Sequence, residues 1–155
     1  MGRDDKIRLQ WDRAVDSWVE FVRCGKDYYR EFMNGPALKR MIGDVSGMQV
    51  LDIACGEGYF SRFYAGEGAC VTGVDISERM IDAAVEEEER NSLGVEYHVA
   101  DASDLSMVES DSFDVAFSFM ALKDMEDYES AIGEASRVLR PGGRFVFSNA
   151  REPLP

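Results

Sequence analysis

Histidine occurs once in these 155 residues, cysteine three times and proline four times. Cys24, Cys55 and Cys70 form no close pair and no CxxC, which excludes a disulfide framework or a zinc site and fits reduced thiols in a cytoplasmic protein. Long apolar runs are missing too, and the N-terminus MGRDDKIRLQ is charged throughout, so neither a membrane span nor a signal peptide is expected. Positive charge is scarce: 17 Lys or Arg stand against 30 Asp or Glu, a formal charge of −13. Such a balance repels nucleic acid and leaves room only for a small local anion site. What the chain has is 45% hydrophobic residues, enough for a core. At this length one domain is expected, burying roughly two-thirds of its unfolded surface. The charge is uneven, with a net of +2 over residues 1–43 and −15 over residues 44–155.

Residues 1–43 read as helices. Trp11, Val15, Trp18, Val19 and Val22 share one helical face, and the spacing predicts a break at Asn34-Gly35 before a short helix that starts at Pro36 and stops at Gly43. From Gln49 the pattern changes to strand-like runs alternating with helices. The runs are VLDIA at 50–54, CVTGVD at 70–75, VEYHVA at 95–100, FDVAFSF at 113–119 and RFVFS at 144–148. Helices are expected over 59–65, 77–91 and 128–139, the second with Ser77 as its cap and a buried stripe of Met80, Ile81, Ala84 and Val85. The run Glu86–Glu89 then faces water. Five strands with crossovers imply an α/β fold, a doubly wound parallel sheet covered on both faces.

The chemistry concentrates at the strand ends. In Val50-Leu51-Asp52-Ile53-Ala54-Cys55-Gly56-Glu57-Gly58 an apolar strand runs into small residues and then a helix, and Gly56 and Gly58 permit a tight turn and close approach of a ligand. Many nucleotide-binding folds share such a turn. Asp52 is the distinguishing residue, since a carboxylate there serves a ligand ammonium and not a pyrophosphate. Asp75 ends the second strand where an acid can accept both ribose hydroxyls; a charge at the start of the next helix is the plainer alternative. Asp101, ending the third, can accept the exocyclic amine of adenine while the N–H of Ala102 donates to a ring nitrogen, with Ile76 and Met80 as apolar contacts to the base. A surface aspartate opening a loop would look the same. Trp11, Trp18, Tyr28 and Tyr29 suit packing against the sheet, with Tyr28 or Tyr29 the candidates for a lid over a cofactor. His98 lies mid-strand and reads as a packed or partly solvated side chain.

VLDIACGEGYF, VTGVDIS, Ala100-Asp101-Ala102, FDVAFSFMALKDMED and RVLRPGGRFVFS resemble, in order and spacing, the blocks of class I S-adenosylmethionine-dependent methyltransferases, most closely the small-molecule branch, over roughly residues 40–149. The resemblance implies a Rossmann-like sheet of strand order 3-2-1-4-5, preceded here by N-terminal helices. It further implies S-adenosyl-L-methionine as cofactor, S-adenosylhomocysteine as product, no metal, and a small-molecule methyl acceptor. Carried over by position, Asp52 with the backbone of Ala54, Cys55, Gly56 and Gly58 would hold the methionine moiety. Asp75 would take the ribose, Ile76 the adenine face, Asp101 and Ala102 the adenine edge, and Ser118 and Phe119 the methionine end. Ala54 replaces the first glycine of the usual pattern. Lys123 and Asp124 stand where many relatives carry a His pair, so no catalytic base is assigned.

Residues 1–43 are then expected as a helical lid segment and 44–155 as the cofactor-binding part of one structural domain. The family's further helix and closing strands find no counterpart after Asn149. The expectation is a truncated form, or self-association along an open fifth-strand edge that the tail Arg151–Pro155 cannot cover. A cofactor-binding module without catalysis is the rival reading. A nicotinamide dehydrogenase fits poorly, because Ser61 holds the last glycine slot and Asp52 and Asp101 would go unused.

Overall fold

A computed structural model describes residues 2–149. In chain order the elements are α1 (Arg3–Arg23), a π-helical turn (Tyr29–Met33), α2 (Asn34–Ile42), β1 (Gln49–Ile53), α3 (Tyr59–Gly66), β2 (Cys70–Asp75), α4 (Glu78–Arg90), β3 (Glu96–Val99), β4 (Phe113–Phe119), a 3-10 turn (Leu122–Asp124), α5 (Tyr128–Val138) and β5 (Leu139–Ser148). The five strands form one parallel sheet in the order β3-β2-β1-β4-β5. Strand alternation divides the core between the two faces. Val50, Val71, Val115 and Phe117 pack with Leu38 and Ile42 of α2 and with Phe60 and Tyr64 of α3. Leu51, Ile53, Val74 and Ala116 pack on the other side with Ala131, Ala135 and Val138 of α5. Each such apolar side chain contributes about 1.5–3 kcal/mol when fully buried, which is why a sheet this short requires helices on both faces.

Ser77 caps α4 by accepting the Met80 N–H at 3.2 Å. Its hydroxyl also donates to Asp12 of α1, and Arg79 donates to the Asp12 carbonyl and the Asp16 carboxylate. These contacts lay α1 along α4, across the carboxyl ends of the strands.

Three details differ from the sequence expectation. The chain does not break at Asn34-Gly35: the π turn runs directly into α2, because the Asn34 N–H bonds back to the Tyr29 carbonyl and glycine at 35 lets the coil pass the Arg30 carbonyl. Leu139 belongs to β5 and not to α5. The register shifts here, with residues 140–143 set against the single Asp114 between two paired positions, Phe113 with Leu139 and Val115 with Arg144. Val85 is 38% exposed and outside the buried stripe of α4. The tail Arg151–Pro155 lies outside the described residues. Among those residues no helix is long and apolar enough to cross a membrane.

Candidate functional site

The turn after β1 is held in left-handed backbone at Ala54 (φ +59°), Gly56 (φ +56°) and Gly58 (φ +82°). For alanine that conformation costs roughly 1–2 kcal/mol, so the residue replacing a glycine of the pattern carries backbone strain as well as a methyl group. The turn is fixed from behind. The Gly56 N–H donates to Asp75 Oδ2 at 2.8 Å and the Ser77 N–H to Oδ1 at 2.9 Å, which locks the Asp75 carboxylate between two strand ends. Asp52 is buried and accepts the Ser61 hydroxyl at 2.6 Å. Asp101 Oδ1 takes both the N–H and the hydroxyl of Ser103, at 2.9 and 2.8 Å.

These strand ends open into a cleft of about 510 Å³. Of the residues singled out from sequence, Asp52, Ala54, Cys55 and Gly56 line it from β1 and its turn, and Asp75, Ile76 and Met80 from β2 and α4. Asp101, Ala102, Phe119 and Tyr29 complete the set. Gly58 and Ser118 do not line it. Gly58 is buried under the Tyr97 hydroxyl and Arg62, and Ser118 is fully buried in β4. His98 is also outside the cleft, its side chain 43% exposed and 4.0 Å from Glu96.

The electrostatics follow from burying acids together. Burial pushes the Asp52 carboxyl up to about 7, helped by the neighbouring Asp75 and opposed by the Ser61 hydrogen bond and by Arg30. Burial raises Asp75 as well, against the pull of its backbone donors, and pushes the Cys55 thiol well up. Acids outnumber bases among the charged residues lining this cleft, and a ligand bearing an ammonium group would relieve them.

The methyltransferase domain family matches residues 51–147. The chain belongs to that family. Over 139 residues this methyltransferase domain is 35% identical to a ubiquinone biosynthesis O-methyltransferase of Coxiella burnetii, covering 88% of the chain and 58% of that protein. It is also 35% identical over 142 residues to a malonyl-[acyl-carrier protein] O-methyltransferase of Hamiltonella defensa, covering 92% of the chain and 51% of that protein. The crystal structure of an S-adenosylmethionine-dependent methyltransferase from Mesorhizobium loti is similar at a TM-score of 0.68 and 38% identity, over 74% of the chain and 52% of its own. The chain thus spans little more than half the length of these relatives.

The methyltransferase domain also brings to its cleft residues that the sequence left unassigned. Trp11 and Trp18, expected to pack against the sheet, line the cleft together with Tyr28 and Tyr29, because α1 lies along α4 over the strand ends. Lys123 and Asp124 line it from the 3-10 turn. The main addition is Arg30, which is 9% exposed and set among four cleft rings, 4.6 Å from the Tyr59 centroid and 5.7–5.9 Å from Trp18, Phe60 and Phe119. Its Nε and Nη1 are buried without a hydrogen-bond partner. The sequence signal was faint: one arginine inside the aromatic run Tyr-Tyr-Arg-Glu-Phe.

Proposed function

We propose that this methyltransferase domain binds S-adenosyl-L-methionine in the cleft and transfers its methyl group to a small-molecule acceptor, an oxygen atom being favoured by the names of both curated relatives. The observation that carries the reading is the charge layout. Asp52 and the guanidinium of Arg30 lie in one cleft with Asp75 and Asp101 at the ends of neighbouring strands. An amino-acid zwitterion, a ribose diol and an adenine edge ask for those groups in that order. The residues fit the cofactor on a further count, since Nε and Nη1 of Arg30 are buried and, among the described residues, stand 3.6 and 3.7 Å from Asp27 and Glu57 without a hydrogen bond to either.

In this reading Asp52 accepts from the ammonium, Arg30 donates to the carboxylate, and the backbone of Cys55 and Gly56 borders the methionine chain. Asp75 takes the ribose hydroxyls, Ile76 and Met80 flank the base, and Asp101 with the Ala102 N–H reads its edge. The cofactor supplies a methyl group already activated on a sulfonium. The chain's own contribution is to hold the acceptor in line and exclude water, which the rings of Trp11, Trp18, Tyr28 and Tyr29 are placed to do. Residues 4–30, from α1 and the π turn, therefore serve as the lid segment of the domain, while α2 packs into the core. The three unpaired thiols support a cytoplasmic setting.

A calorimetric titration with S-adenosylhomocysteine tests the site. Wild type is expected to bind, and Asp75→Ala to lose the hydrogen bonds of a charged acceptor, about 1.5–3 kcal/mol or roughly ten- to a hundredfold in affinity. No binding to wild type overturns the reading. A second reading is a cofactor-binding unit without transfer of its own. It is distinguished by product binding without turnover.

A further inference from the structure

Glu57 follows Gly56 in the cofactor turn but points away from the cleft, with its side chain 1% exposed. Three arginines from three elements converge on it. Oε2 accepts from Arg62 Nη2 of α3 at 2.8 Å and from Arg23 Nε at the end of α1 at 3.2 Å. Oε1 has no hydrogen-bond partner and faces Nη1 of Arg30 at 3.7 Å. Arg30 Nε in turn stands 3.6 Å from Asp27, again short of a hydrogen bond. An arginine that served only to brace the fold would spend its donors on these carboxylates. The Arg30 guanidinium instead stands in ion pairs with both, at 3.6 and 3.7 Å, with no hydrogen bond from Nε or Nη1. Asp27 and Asp52 both line the cleft and both act on the Arg30 charge, and a guanidinium free to move would pair with Asp52 and neutralise the site.

We propose that Glu57 is a positioning residue: its charge draws Arg30 back from Asp52, so that the two remain separate and each meets its own half of the cofactor's zwitterion. The proposal rests on the cofactor reading above. It also ties the lid to the ligand, because Arg23 and Arg30 bracket the segment that joins α1 to the π turn and both are held by the same carboxylate.

The test compares two ligands by calorimetry, S-adenosylhomocysteine and 5′-methylthioadenosine, which lacks the amino-acid half. Glu57→Gln is expected to weaken S-adenosylhomocysteine tenfold or more while leaving 5′-methylthioadenosine within twofold. Glu57→Asp, which keeps the charge, is expected to restore most of the loss, and Glu57→Gln is expected to add nothing in an Arg30→Gln background. Should Glu57→Gln alone fail to fold, the pair Glu57→Gln with Arg62→Gln removes the stranded cation and gives the same comparison. Equal weakening of both ligands, or of neither, overturns the proposal. Wild type that binds neither ligand overturns the cofactor reading itself.

Discussion

Asp52 shows most directly what single residues contribute. Its carboxyl sits at about 7 in the free protein, under the influence of Asp75, Arg30 and the Ser61 hydroxyl, with Cys55 and Tyr64 as titratable neighbours. Below that pH it must shed a proton before it can meet an ammonium group; above it, no proton is lost. Affinity for S-adenosylhomocysteine is therefore expected to rise up to tenfold per pH unit as pH climbs toward 7, then to level off. Calorimetry in buffers of different ionisation enthalpy should show proton release at pH 6 and almost none at pH 8. A flat profile would remove Asp52 from the ammonium site. The residue itself was legible in the sequence, because an acid before the glycines has few other uses. Arg30 and Glu57 were not. Their partnership crosses 27 positions of chain and exists only once the π turn has been laid beside the β1 turn.

Among the elements, the π turn is the one that sets Arg30 in the cleft. It replaces the usual helical spacing with a wider coil, and Pro36, which has no N–H, removes a donor that would favour the tighter form. Gly35 makes the coil feasible, since a Cβ there would run into the Arg30 carbonyl. Gly35→Ala is accordingly expected to cost about 1–3 kcal/mol in a denaturant titration, as overpacking does, and to weaken S-adenosylhomocysteine by displacing Arg30. Unchanged stability would mean that the turn relaxes without cost. The strands and α3 to α5 could be read closely from the sequence, because alternation and helical periodicity report burial directly. The start of α2 could not. Asn-Gly-Pro is a local signal for a break, and here packing of Leu38 and Ile42 against the sheet outweighs it.

At the scale of the whole molecule, the acidic body and the nearly neutral N-terminal segment are joined by charge. Arg23 reaches Glu57 and Glu87, while Arg79 of the body reaches Asp16 of α1. The sheet ends at β3 on one side and β5 on the other among the described residues, and beside the β5 edge Phe147 is 47% exposed. Were a second copy to pair along this edge, sedimentation velocity would show a concentration-dependent dimer that Phe147→Lys abolishes. A monomeric boundary at every concentration discards the pairing. The placement of the three thiols has a practical consequence. Cys24 is exposed where α1 ends, Cys70 is exposed at the end of β2 remote from the cleft, and Cys55 in the cleft wall is kept protonated by burial. The native chain thus offers two exposed attachment points and one half-buried in the cleft wall. A donor and an acceptor dye at positions 24 and 70 would serve as a ruler between lid and sheet, with no cysteine added or removed.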